Sequence, residues 1–192
     1  KPQMVDKVDV SPDKLTYTLT LRDGLEWHDG KPVTAEDCVA SIKRWAARDS
    51  MGQKMMGVVA EMNAPDDKTI KIVLKQPIPI FIDAIARGGA SVAFMMPEHV
   101  AKTDPFKQIT EYVGSGPMRF KRDEWVPGAK AIFEKFDGYV PRPEKANWLS
   151  GGKRISFDRI EWQIIPDAAT AAGALQAGEV DWVETPSNDL IP

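Results

Sequence analysis

The sequence predicts a mixed α/β (α+β) fold. Three observations lead there: runs of period two paired around turn-forming residues, helices that carry their own caps, and a terminal strand-helix-strand pattern. With 192 residues and 43% hydrophobic content, the chain is long enough for one ordinary domain or two small subdomains, each with some buried core.

Leu15, Tyr17, Leu19 and Leu21 alternate with Thr16, Thr18 and Thr20, which predicts a strand with β-branched threonines on its wet face. Val8 and Val10 precede the turn signal Ser11-Pro12-Asp13-Lys14, so the opening reads as a hairpin. Thr34 is the expected cap of a helix to about Arg48, with Glu36 and Asp37 in its positive first turn and Val39, Ile42, Trp45 and Ala46 on one apolar face. Val58 to Met62, the turn at Pro65 to Lys68, and Ile70, Ile72 and Leu74 predict a second hairpin. A short helix over Ile80 to Ala86 should stop at Gly88-Gly89, where glycine supplies a left-handed cap. Ser91 to Met95 is expected as a strand, and Pro97 starts a short helix through Val100.

Beyond Gly114 the pattern predicts strands near Met118 to Arg122, Ala131 to Phe136 and Ile160 to Gln163, with Pro141 to Lys153 as a surface loop. Asp167 should cap a last helix with a face of Ala171, Ala172 and Leu175, ended by Gly178. Val180 to Val183 then resumes as a strand. Trp45 and Trp162 sit on periodic apolar faces and are expected in the core, while Trp148 and Trp182 are left unassigned.

The 25 basic and 28 acidic residues nearly balance, so no basic stripe points to nucleic acid. The single cysteine, Cys38, leaves no internal disulfide framework and no Cys-rich zinc site. The longest apolar run, Ile78 to Ala86, is short of a membrane span and interrupted by Pro79 and Asp83. Without an initiator Met or a charged-then-apolar leader, the chain reads as an excerpt of a longer protein.

His28-Asp29 could form a base with its orienting carboxylate, and Cys38 a nucleophile. Against this, adjacent residues in a tight turn point apart, and Cys38 lies beside the apolar face of its helix. The structural reading is that Gly24 and Gly30 permit tight turns, Trp27 fills core and His28 bonds locally to fix the helix entry. Gly114-Ser115-Gly116-Pro117 could nest an anion, but no Gly-Lys-Ser/Thr follows and a strand comes next. His28 and His99 lie far apart, and Asp66-Asp67 lacks calcium-loop spacing, so no metal and no cofactor is expected.

The block Leu21 to Asp37, reading LRDGLEWHDGKPVTAED, resembles the signature of the peptide/nickel (dipeptide/oligopeptide-binding) class of ABC-transporter solute-binding proteins. Leu74-Lys75-Gln76-Pro77, Gly114-Ser115-Gly116-Pro117, Phe136-Asp137-Gly138-Tyr139 and Leu175 to Asp181 match further motifs in the same order. Met118 and Val140-Pro141 depart from the aromatic residues usual at those places. The resemblance implies a periplasmic-binding-protein-like type II fold, of which this chain holds most of the first lobe. Residues 1–112 would be its small subdomain and 113–192 part of its core sheet leading to the hinge, with the second lobe absent.

The implied function is that of the extracytoplasmic solute-binding component of an ABC importer, which encloses a peptide or peptide-like solute between two lobes and delivers it to the permease. The implied protein is not an enzyme. It is a monomer, periplasmic, or lipid-anchored in a Gram-positive source, and binds no nucleic acid. Dipeptide, oligopeptide, opine, sugar and nickel chelate stay open as ligands. Two other readings stay open too: an extracellular hydrolase using His28-Asp29, and a sensory domain of the same fold. Arg87-Gly88-Gly89-Ala90-Ser91 is the expected ligand-contact segment, because small residues after a short helix allow close backbone approach and its place resembles the family's first-lobe cleft wall. Arg87 could pair with a ligand carboxylate or with an acidic neighbour.

Overall fold

The computed structural model describes residues 3–87, 91–147, 150–186 and 188. The chain forms two compact units, Lys1–Arg119 with Lys135–Asp158, and Phe120–Glu134 with Arg159–Pro192.

The first unit is built on an antiparallel sheet of order β1-β2-β4-β3, comprising β1 (Val5–Val10), β2 (Thr16–Leu21), β3 (Val59–Asp66) and β4 (Thr69–Leu74). The alternation in β2 works as expected: Tyr17, Leu19 and Leu21 are buried, and the threonines between them are partly exposed. In register, Tyr17 faces Ile72 and Leu19 faces Ile70, so the apolar sets of both strands share one face. Helix α1 (Ala35–Arg48) buries Val39 and Ile42 in the same core, and Ala46 is buried as well. Its start is a capping box, in which the Thr34 hydroxyl accepts from Asp37 N and the Asp37 carboxylate accepts from Thr34 N.

Helix α2 (Ser50–Val58) was not expected from the sequence, and Val58 ends it instead of opening a strand. Asp49 caps it, accepting from Met51 N at 2.9 Å and Gly52 N at 3.0 Å. Two glycines hide this helix from a propensity argument. Gly52 is there for packing, since a Cβ on it would lie 2.6 Å from the Cα of Ala46 on α1. Helix α3 (Phe81–Ala86) sets Phe81 against the Tyr17 ring with centroids 5.0 Å apart. It ends on Arg87 in extended backbone, and the expected cap at Gly88-Gly89 lies outside the described residues.

The expected strand at Ser91 to Met95 does not form. Its neighbourhood bonds to α1 side chains instead: Ser41 Oγ accepts from Met96 N at 3.0 Å, and Asp37 Oδ1 accepts from Glu98 N at 2.7 Å, where α4 (Glu98–Ala101) begins. Among its described residues the stretch Pro141 to Lys153 has no helix or strand, but it is not simply a surface loop. Arg142 is buried, donating to Val5 O at 2.8 Å and to Glu144, and Gly151 and Gly152 are buried as well. A side chain on Gly152 would run into the Arg142 carbonyl oxygen.

The second sheet has the order β5-β6-β7, with β5 (Met118–Phe120), β6 (Lys130–Lys135) and β7 (Arg159–Gln163). A 3-10 turn, Arg122–Glu124, follows β5. Ile132 is fully buried, and Phe133 packs against both Phe120 and Trp162. Trp162 nevertheless leaves 61% of its surface exposed and is not a core residue: its ring meets Phe133 in a T-shaped contact, centroids 6.1 Å apart, that does not enclose it. Helix α5 (Ala168–Ala177) is capped by Asp167, which accepts from Thr170 N at 2.7 Å, and is stopped by Gly178 in left-handed backbone. Its buried residues are Ala171 and Ala174, while Leu175 is exposed, because a helix made mostly of alanines has no strong apolar stripe to fix its rotation. No strand forms at Val180 to Val183, which has no ladder partner among the described residues, and Trp182 is exposed.

Candidate functional site

Arg87 is the first residue of the segment expected to touch ligand, and its guanidinium is already engaged. Nη2 pairs with the Asp49 carboxylate, while Nε and Nη2 donate to Ser91 O at 3.1 and 2.6 Å. The group lies over the Trp45 ring, 5.6 Å from its centroid, and Trp45 Nε1 also donates to Ser91 O at 3.1 Å. The two ends of the segment are therefore tied to each other and to the ends of α1 and α2. Gly88, Gly89 and Ala90 lie outside the described residues. Asp49 serves both partners, and the Gly52 amide first, then the Arg87 guanidinium, hold its carboxyl below the usual range. Of the two partners the sequence allowed for Arg87, the acidic neighbour is the one present here.

His28 binds a second cluster. Its Nε2–H donates to Gly116 O at 2.9 Å, its backbone N donates to Gly114 O at 2.8 Å, and its ring meets Phe136 edge-on at 5.0 Å. The expectation of a local bond at the helix entry is corrected: the partners lie far along the chain, and the entry is fixed by Thr34 and Asp37. Nδ1 is buried without a hydrogen-bond partner. Burial pushes the imidazole pKa down, the Gly116 carbonyl opposes that shift, and the charge of Arg119 adds to it. Gly138 joins the cluster, since a Cβ there would lie 2.7 Å from Phe136 Cζ and 2.8 Å from Glu26 Oε2. Three of the motifs that carried the family resemblance thus meet at His28. No local signal reveals this; only their fixed order along the chain does.

The arrangement does not assemble a catalytic dyad from His28 and Asp29. The Asp29 carboxylate accepts from Lys31 N at 3.1 Å and pairs with Lys31 Nζ at 3.1 Å. Cys38 is 3% exposed, and burial, helped by the Asp37 charge, pushes its thiol up to about 12, the opposite of an activated nucleophile. His99 pairs with Glu111 at 2.9 Å.

The sequence model of the bacterial extracellular solute-binding proteins, family 5 Middle, matches residues 1–192. The chain is 45% identical over its whole length to the "Probable peptide ABC transporter periplasmic-binding protein y4tO" of Sinorhizobium fredii, covering 36% of that protein. It is 28% identical to the dipeptide-binding protein DppE of Bacillus subtilis, over 97% of this chain and 35% of the relative. Among solved structures, the oligopeptide-binding protein AppA of Bacillus subtilis, in complex with a nonapeptide, matches with a TM-score of 0.68 and 25% identity, over 94% of this chain and 34% of that one. The chain thus spans about a third of the length of these relatives.

Proposed function

This chain belongs to the bacterial extracellular solute-binding proteins of family 5, and from that premise we propose that it is part of the extracytoplasmic component of an ABC importer. The whole protein captures a peptide or peptide-like solute between two lobes and delivers it to the membrane permease. The observation that carries this reading is the 45% identity, along the entire chain, to a relative named for peptide transport. A nonapeptide bound by a structural relative supports the same ligand class.

Residues 1–112 act as the small subdomain of the first lobe, and 113–192 as part of its core sheet leading to the hinge. The ligand prefers the closed arrangement of the lobes, so binding shifts the population toward the form that docks on the permease. No covalent step is needed, and the engaged His28 and buried Cys38 agree with a carrier that is not an enzyme. The segment Arg87 to Ser91 forms the first-lobe wall of the cleft, and anchoring both its ends keeps the cost of ordering it low. The carrier works as a monomer, in the periplasm or lipid-anchored outside the membrane, and takes no nucleic acid.

Mass spectrometry of solute released from the purified full-length protein tests this directly. Peptides are expected. Absence of peptide, together with no calorimetric response to peptides from two to nine residues long, would overturn the reading. Residues 1–192 alone carry too little of the clamp, and micromolar peptide affinity in that piece would contradict the two-lobe mechanism.

A further inference from the structure

A hollow of about 260 Å³ opens in the first unit, away from the Arg87 segment in sequence and lined by none of its residues. Phe136 and Tyr139 give it aromatic surface, and Lys135, Lys153 and Arg154 bring positive charge against the single carboxylate of Asp137. Among the described residues, none of these three cationic side chains makes an ion pair or a hydrogen bond, unlike Arg87, Arg142 and Arg159, which all have carboxylate partners.

The walls are fixed. The Phe136 ring is held by the edge contact with His28, and Phe136 N donates to Pro117 O at 3.0 Å. On the other side, Gly152 N donates to Glu144 O at 2.8 Å and Gly151 O accepts from Gln3 Nε2 at 3.2 Å. Arg142 is buried, while Lys153 and Arg154, which follow Gly152 and line the hollow, are exposed. A cationic rim over an aromatic surface on a rigid frame is a receptor for an anion with an apolar body, since guanidinium takes a carboxylate or phosphate in bidentate fashion and a small concave site gains most from a few placed polar groups.

The geometry points to a binding site in this hollow for a small organic anion, whose carboxylate or phosphate pairs with Lys153 and Arg154 while its apolar body rests on Phe136 and Tyr139. The site does not depend on the identity of the transported solute.

The test uses the full-length protein and phenyl phosphate as probe, titrated by calorimetry, with phenol as the uncharged comparison. Saturable binding of phenyl phosphate and none of phenol is expected. The double variant Lys153→Gln/Arg154→Gln should weaken it at least tenfold, and both positions are exposed, so the fold should survive, as near-ultraviolet circular dichroism would check. Lys7→Gln/Lys54→Gln removes the same charge elsewhere on the surface and should leave binding unchanged. The proposal is overturned if phenyl phosphate does not saturate, if the first double variant binds like the parent, or if both double variants weaken binding equally.

Discussion

Replacing Asp37 by Ala should remove about 3–5 kcal/mol of stability, the cost of stripping one member from a buried, fully bonded charged network. Asp37 is 7% exposed and joins three parts of the first unit. Oδ2 accepts from Trp27 Nε1 at 3.1 Å, Thr34 N at 2.8 Å and Thr34 Oγ1 at 2.9 Å, and Oδ1 accepts from Glu98 N at 2.7 Å. In the alanine variant the Thr34 hydroxyl can turn to another partner, but the Trp27 indole and the Thr34 and Glu98 amides cannot. The buried Trp27 donor left without a partner costs about 1–3 kcal/mol, the two partly buried amides roughly 0.5–1 kcal/mol each because water can reach them, and losing half of the capping box adds a few tenths to about 1 kcal/mol. Asp37→Asn keeps an acceptor oxygen for one set of donors and should lose roughly half as much. Urea unfolding followed by tryptophan fluorescence reads the difference as a lower midpoint at unchanged slope. A loss under about 1 kcal/mol for the alanine variant would refute the picture of Asp37 as the joint between the Trp27 turn, α1 and α4.

Burial lowers the His28 pKa in the folded state, so its contribution to stability is complete above the unfolded value of 6.5 and is lost as pH falls below it. The slope is at most about 1.4 kcal/mol per pH unit, and His28→Gln, which keeps a donor for Gly116 O, should flatten it in urea melts between pH 7 and 5. The charge of Arg119 adds to the downward shift and so extends the loss to lower pH. Gly152→Ala should cost more than Gly138→Ala in thermal melts. The added methyl meets a backbone carbonyl oxygen in the first case and movable side-chain atoms in the second, where about 1–3 kcal/mol is the usual cost of overpacking. Equal shifts for the two would contradict the fixed course of the turn around Arg142.

The elements that could be read from the sequence are those whose cause is local. The threonine alternation of β2, the Thr34 cap of α1 and the Asp167 and Gly178 ends of α5 each need only a few adjacent residues. Where tertiary contact decides, the reading fails. Helix α2 has two glycines that weaken it in isolation, and Gly52 is tolerated because it lets the helix meet Ala46. The apolar run after Ser91 has the composition of a strand, but apolar alternation reports burial and not pairing, and Ser41 and Asp37 capture its neighbouring amides. Trp162 shows the same limit from the other side, since its periodic position places it against Phe133 without enclosing it.

The distinctive motifs were legible as family marks, but not as parts of one joint. Each supplies the space another needs: Gly114 lies under the His28 ring, where a Cβ would be 3.1 Å from Cε1, and Gly24 lies under Val140, where it would be 3.2 Å from Cγ2. Changing either member alone creates a clash or a void, so such residues hold a scaffold and say little about the cargo. Ligand preference has to come from residues outside this joint. At the proposed wall, the Arg87 charge is paired with Asp49, and its Nε and Nη2 also donate to Ser91 O. A wall whose guanidinium is already paired offers a ligand less free charge, which suits the repeating amides of a peptide better than a single carboxylate. Lys substituted for Arg87 should then weaken peptide binding in the full-length protein, although the charge is kept, because one ammonium cannot hold Asp49 and Ser91 O in the same fork. Undiminished affinity in that variant would show that the ties from Arg87 to Asp49 and Ser91 do not govern recognition.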